Sequence, residues 1–167
     1  VTRELALGLM VALGILTLAA MVWSIAKRRR HGDAAVIFPG AEVVAGEVVA
    51  AFSVLHVATT PLNKPLERVW AKPLAYRAKT TVQVRPGGVS LILRGEGEVG
   101  IVASAIVAVS RATWTIDKAV DPDGLIVISW RHDDSVFDTY LRSVDQPADT
   151  VISTITSVTD IQQEEAN

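Results

Sequence analysis

Between Leu5 and Ala26 the chain runs 22 residues without a formal charge, LALGLMVALGILTLAAMVWSIA. Nothing else constrains the fold as strongly, because a stretch this long and apolar has no polar face to turn toward water. As a helix it measures about 33 Å at ~1.5 Å per residue, enough to cross a hydrocarbon core of ~30 Å. Trp23 falls near its C-terminal end, where an indole favours the headgroup zone. A cleaved signal peptide puts its positive charge before the apolar run and small residues after it. Here Arg3 precedes the run and Lys27, Arg28, Arg29 and Arg30 follow it directly, so residues 1–30 read as an uncleaved transmembrane anchor with a basic flank.

The tetrad also predicts orientation. Cytoplasmic flanks are rich in Lys and Arg, which places the N-terminus outside and residues 27–167 in the cytoplasm, on a single-pass protein of the cell (plasma) membrane. Lys27, Arg28, Arg29 and Arg30 are candidates for contact with anionic lipid, although a topology signal alone accounts for them. Within the span, Gly8, Ala12 and Ala19 share one face and are candidates for close packing against another helix.

Charge is split along the chain. Residues 1–31 carry five Lys/Arg against one acid, and residues 32–167 carry 11 against 17. An acidic domain behind a basic stalk excludes a general nucleic-acid binder, since phosphate contacts need positive surface. The chain has no cysteine, which excludes disulfides, thiolate metal sites and a cysteine nucleophile.

Residues 31–52 show no persistent period and read as a linker with room for a short strand or helical turn. From residue 53 the pattern becomes β. Ser53–Thr59 opens it. In Tyr76–Arg85, Tyr76, Ala78, Thr80, Val82 and Val84 alternate with Arg77, Lys79, Thr81, Gln83 and Arg85, the mark of a half-buried antiparallel strand. Turn residues then separate Val89–Arg94, Glu98–Val102, Arg111–Val120, Leu125–Arg131 and Val136–Arg142. The period changes after Pro147: Val151, Ile152, Ile155, Val158 and Ile161 fall on one side at helical spacing, with Thr150, Ser153, Ser157 and Asp160 opposite. About seven antiparallel strands closed by one C-terminal helix predict a pleckstrin-homology-like (PH-like) barrel over residues 53–163, with 164–167 as a tail. A lipocalin-like barrel needs more strands.

From Pro65 to Arg142 the chain resembles a family of actinobacterial single-pass membrane proteins with a cytoplasmic bacterial PH-like domain. The resemblance is carried by Pro65-Leu66-Glu67-Arg68-Val69, Leu74-Ala75-Tyr76-Arg77-Ala78, Arg111-Ala112-Thr113-Trp114-Thr115-Ile116-Asp117-Lys118, Asp123-Gly124-Leu125 and Asp138-Thr139-Tyr140-Leu141-Arg142. It implies a fold and a location, not an activity.

Chemistry-bearing patterns are sparse. His31, His56 and His132 stand apart, and no HExxH, GxSxG or phosphate-loop motif occurs. Gly95-Glu96-Gly97 lacks a following helix, Asp121-Pro122-Asp123-Gly124 lacks the ligand spacing of a calcium loop, and His132-Asp133-Asp134 reads as a turn. No catalytic, cofactor or metal residues are expected. What remains is surface. Arg77, Lys79 and Arg85 lie on one strand face, with Lys64, Arg68 and Lys72 leading to it, and are candidates for an anionic lipid or small anionic ligand; a solvated strand face is the simpler reading. Trp114 and Trp130 alternate with isoleucines and are expected in the core. Trp70, between Pro65 and Pro73, is the candidate interface anchor. The expected function is therefore a non-enzymatic scaffold, assembly factor or accessory subunit binding other membrane-protein subunits in a larger complex, a respiratory supercomplex being one such assembly. The alternative is a sensor of anionic lipid or a small anionic ligand.

Overall fold

The structure, a computed structural model, describes residues 3–32, 36–64, 66–112 and 125–159. It divides into two units, Val1–Ala35 and Val36–Asn167. The first contains one helix, α1 (Arg3–Gly32). Over Arg3–Ser24 it is long and apolar enough to cross a membrane by length and composition, and none of that stretch is buried.

Among its described residues the second unit holds seven strands and a helix: β1 (Ala50–Pro61), β2 (Ala78–Arg85), β3 (Gly88–Leu93), β4 (Gly97–Val102), β5 (Ile106–Ala112), β6 (Leu125–His132), β7 (Ser135–Ser143) and α2 (Ala148–Val158). The strands form one antiparallel sheet in the order β4-β3-β2-β1-β7-β6-β5. Two-residue turns set the tight hairpins. Pro86-Gly87 joins β2 to β3 with Arg85 opposite Gly88, and Asp133-Asp134 joins β6 to β7 with His132 opposite Ser135. Asp133 takes φ 49°, a left-handed conformation that aspartate tolerates better than most residues. In β2 the expected alternation holds: Ala78, Thr80, Val82 and Val84 are buried and Lys79 is exposed.

One face of the sheet carries the core. Val54, Val82, Leu91, Ile126, Ile128 and Leu141 are at most 2% exposed. α2 packs against β2, β3, β5, β6 and β7. It buries Ala148, Val151 and Ile155, three positions that helical spacing brings to one side. β-branched residues are weak helix formers, so burial of this stripe, not propensity, holds the helix. Ile161 lies outside the described residues.

The structure corrects three expectations. The sheet does not close into a barrel: among the described residues no ladder joins β4 to β5. The chain passes between them through a 3-10 turn, Ala103–Ala105, anchored by Ala103 N–H on the Gly87 carbonyl (2.8 Å), where a closing hairpin would be needed. The fifth strand also starts earlier than expected, being described over Ile106–Ala112, and its register slips between Ile106 and Ala108. That bulge obscures the alternation. Most of the expected strand Arg111–Val120, with Trp114, lies outside the described residues. Tyr76 precedes β2 and is 51% exposed instead of facing the core.

Residues 36–49 belong to the folded unit and act as a strap. Phe38 packs against Trp130, His132 and Phe137 at centroid distances of 5.5, 5.5 and 5.7 Å. The next carbonyl, Pro39, accepts Gly100 N–H of β4 at 2.8 Å. Within two residues the strap thus touches both halves of the open sheet. A Cβ on Gly100 would collide with the Gly40 carbonyl, so glycine permits the approach.

Candidate functional site

The connection from β1 to β2, described except for residue 65, runs over residues 62–77 and is built from short backbone contacts. Asn63 at φ 62° turns the chain. Lys64 N–H then reaches the Pro61 carbonyl (3.1 Å) and Glu67 N–H the Lys64 carbonyl (2.9 Å). Val69 N–H returns to the Thr59 carbonyl (2.8 Å), laying the loop back along β1. Val69, Leu74 and Ala75 are buried beneath it. Between these anchors Leu62, Leu66, Trp70 and Tyr76 stand 44%, 82%, 52% and 51% exposed. A segment fixed at several points that still presents two aromatic and two aliphatic side chains is a pre-ordered apolar surface.

Beside these apolar residues its underside carries a chain of side-chain hydrogen bonds. β1 has a bulge between His56 and Ala58, and the extra residue brings His56 and Thr59 within hydrogen-bond reach of each other. His56 Nδ1 lies 2.9 Å from the Tyr76 carbonyl, which can only accept, so Nδ1 carries the proton. Nε2 is then the acceptor and takes the Thr59 hydroxyl proton at 3.0 Å. Thr139 of β7 donates to Thr59 Oγ1 (3.1 Å), and Trp130 Nε1 of β6 donates to Thr139 Oγ1 (2.9 Å). Four side chains pass hydrogen bonds in one direction toward the loop. Burial lowers the His56 pKa from 6.5 to about 4; the Tyr76 carbonyl opposes the shift and the Arg68 guanidinium adds to it. Arg68 itself donates from Nη2 to the Val57 carbonyl at 2.8 Å, so it fastens the loop.

Charge concentrates on the same segment. From residue 62 to 77 there are Lys64, Arg68, Lys72 and Arg77 against Glu67, which pairs with Lys64 at 3.1 Å. Lys79, just inside β2, is also exposed. Arg85 does not join them. It sits six residues along the strand from Lys79, roughly 20 Å at ~3.4 Å per residue. Its guanidinium donates to the Val44 carbonyl (3.2 Å) and Gln83 Oε1 (3.0 Å). Of the three strand cations, Arg77 and Lys79 face solvent at the loop and Arg85 ties down the strap.

The other candidates are dispersed. Gly8 and Ala12 line a shallow depression on α1 with Glu4, Leu5 and Leu9, and Ala19 lies outside it. Lys27, Arg28, Arg29 and Arg30 continue α1, and their side chains lie outside the described residues. Trp130 is 1% exposed and in the core, as its spacing predicts. His132 Nε2 donates to the Ile37 carbonyl at 3.0 Å. Among the described residues, no three His, Asp or Glu side chains gather as metal ligands.

Sequence reasoning placed His56 on the opening strand without a role and passed over Thr59 and Thr139. A histidine on an otherwise apolar strand face was the available signal. The bulge that aligns Thr59 with it has no signature in residue types.

A family model described as bacterial PH domain-like matches residues 36–156. Among solved structures, the chain is similar to the C-terminal domain of an unknown protein from Leishmania infantum. That likeness has 10% identity and a TM-score of 0.46, over 68% of this chain and 84% of that one. No curated protein matches.

Proposed function

The chain belongs to the bacterial PH domain-like family, and on that premise we propose that it is a non-enzymatic adaptor, anchored by α1, that docks another protein through the β1–β2 loop. The observation that carries this reading is the loop itself, which holds Leu62, Leu66, Trp70 and Tyr76 exposed while its flanks are pinned to β1. Aromatic side chains held in place lose little entropy on binding and are enriched at hot spots. The surplus of cations around them suits a partner with an apolar pocket rimmed by acids. In the cell this would make the protein a scaffold, assembly factor or accessory subunit of a larger membrane complex.

The test is affinity for a stoichiometric partner, first recovered by pull-down of the full chain in detergent. Trp70→Ala should weaken that affinity about thirtyfold, the equivalent of ~2 kcal/mol lost at a buried aromatic anchor. Arg77→Ser with Lys79→Ser should cost little, because exposed cations contribute well under that and are screened by salt. Normal binding by a folded Trp70→Ala variant rules the reading out.

The cationic balance of residues 62–77 favours one second reading, a sensor of anionic lipid. It predicts the opposite ranking of variants on anionic vesicles and steep loss of binding with salt. Both readings put the domain in the cytoplasm, on the side of Lys27–Arg30. Since the chain has no cysteine, single cysteines at Thr2 and Glu165 report topology. Labelling by an impermeant reagent at residue 165 and not at residue 2 of intact cells would reverse the assignment.

A further inference from the structure

On the face of the sheet opposite the core, one row of side chains crosses four strands at a single register position. Lys79 of β2 pairs with Leu55 of β1, and Leu55 pairs with Arg142 of β7. On the other side of Lys79, the Arg94 N–H donates to the Lys79 carbonyl at 2.9 Å, carrying the β2–β3 pairing one residue past Leu93. Arg94, Lys79 and Arg142 are exposed and Leu55 is partly so, while the chain neighbours Leu93, Ala78, His56 and Leu141 are buried on the core side. We propose that this row of Arg94, Lys79, Leu55 and Arg142 binds an extended acidic segment of a partner protein, with carboxylates on the cations and an aliphatic side chain over Leu55. The proposal rests on the reading of the domain as a protein-docking module and adds the chemistry of the partner to it.

The row lacks a counter-charge of its own. Arg94 and Lys79 stand directly opposite each other, at positions whose β-carbons lie about 5 Å apart, and like charges placed so repel. Among the described residues neither they nor Arg142 enter an ion pair, whereas Lys64 is bound to Glu67 and Arg111 to Asp149. The acids nearest in register are placed elsewhere. Glu98 pairs with Ile92, two residues back along β3 from Arg94. Glu96, in the β3–β4 turn, has one carboxylate oxygen buried. Asp145 accepts the Ser53 N–H at 3.1 Å, and Asp138 accepts the Ser129 hydroxyl proton at 2.6 Å. Three exposed cations on one row without an acid are complementary to an anion supplied from outside.

Spacing selects the form of that anion. Neighbouring strands lie about 4.8 Å apart, so four positions make a row roughly 14 Å long. A single phosphate or headgroup cannot touch both of its ends. An extended peptide presents alternate side chains on one side, about 6.8 Å apart. A carboxylate shared by Arg94 and Lys79, an aliphatic residue over Leu55 and a carboxylate at Arg142 then fall on residues i, i+2 and i+4. The aliphatic position between the cations favours a peptide over a uniformly anionic surface. Tyr76 and Arg77 immediately precede β2, so the row continues from the exposed surface of the β1–β2 loop.

The test uses the full chain in neutral detergent and two fluorescent peptides, one with the core Glu-Thr-Leu-Thr-Glu and one with lysine in place of both glutamates. Anisotropy titrations at low ionic strength should show the glutamate peptide bound and preferred. Charge reversal turns attraction into repulsion, so Lys79→Glu and Arg142→Glu should each weaken that binding about fivefold. Arg131→Glu makes the same change of charge at an exposed position off the row and should weaken it by less than about twofold. Arg94→Glu should weaken the peptide and raise the denaturant midpoint of the free protein, because it sets opposite charges across the β2–β3 ladder. Absence of preference for the glutamate peptide, an equal loss at Arg131→Glu, or a lowered midpoint in Arg94→Glu overturns the proposal. So does displacement of the peptide by millimolar inorganic phosphate at constant ionic strength, which would make the row a phosphate site. The docking reading fails separately, when Trp70→Ala leaves the affinity of the recovered partner unchanged, because the titration uses no partner.

Discussion

Two irregular segments cover the open sheet, the strap of residues 36–49 and the β1–β2 loop of residues 62–77, and they are built to opposite ends. The strap carries two acids, Glu42 and Glu47, and no cation; the loop carries four cations and one acid. The strap sinks an aromatic residue, Phe38, into the core, while the loop holds Trp70 and Tyr76 half in solvent. Each is fastened near a histidine, but the two fastenings differ. His132 Nε2 donates to a strap carbonyl, Ile37, from the exposed end of β6. His56 uses one nitrogen as donor and the other as acceptor, and a second proton breaks that pattern. Covering apolar core requires only the first kind of construction. The loop adds an exposed apolar surface, the feature on which the docking proposal rests.

The comparison breaks most easily at Phe38. If the strap is structural, Phe38→Ala should lower unfolding stability by about 3 kcal/mol, since truncating a buried phenylalanine removes its packing and leaves a cavity. Denaturant unfolding of the full chain in detergent measures it. Trp70→Ala, half-exposed, should cost less than Phe38→Ala in the same assay. Equal losses would erase the distinction between cover and docking surface.

Acid sharpens it next. The folded His56 pKa lies below its unfolded value, so the folded state resists a proton that the unfolded chain accepts. The associated stability is fully present above pH 6.5 and is lost as pH falls from 6.5 through about 4. The limiting loss is about 3 kcal/mol at ~1.36 kcal/mol per pKa unit. Unfolding curves of the parent and His56→Asn across that window should converge toward pH 4, after the parent leads at pH 7. A constant gap between them would separate the histidine from the acid response.

The parts of this architecture that were legible in the sequence are those set by period and turn chemistry. The apolar run of α1, the alternation of β2, the Pro86-Gly87 and Asp133-Asp134 turns and the buried stripe of α2 follow from the side chains of a few neighbouring residues. What stayed hidden depends on partners far away in the chain. The strap looked like a linker because its aromatic anchor, Phe38, gains meaning only beside Trp130 and Phe137. The early start of β5 was missed because its bulge breaks the period, and the sheet was expected to close because strand count says nothing about whether the edges pair. At the candidate site, Trp70 could be picked out as an aromatic in a Pro-bounded stretch, and the loop cations by their charge. The chain from His56 to Trp130 could not, since it joins β1, β6 and β7 through a bulge.

The smallest predicted effect separates the strand cations. Arg85, Arg77 and Lys79 alternate along one strand and look equivalent in sequence, yet they belong to different segments of the comparison. Arg85 is half-buried, and its guanidinium binds the strap carbonyl of Val44 and the side chain of Gln83. Arg85→Gln keeps polarity and much of the stem but cannot span both acceptors, so the strap loses one charge-assisted hydrogen bond. That should lower stability by about 1 kcal/mol, in the range for such bonds. Arg77→Gln and Lys79→Gln remove exposed charges and should change stability by less than ~0.5 kcal/mol. Binding should show the reverse order, because electrostatic approach of an acidic partner depends on cations that face solvent beside the loop. Association rates for Arg77→Gln and Lys79→Gln should fall, most visibly at low salt, while Arg85→Gln associates at the parental rate. An Arg85→Gln variant of parental stability that slows association would instead make all three cations one surface and return the strap to the docking face.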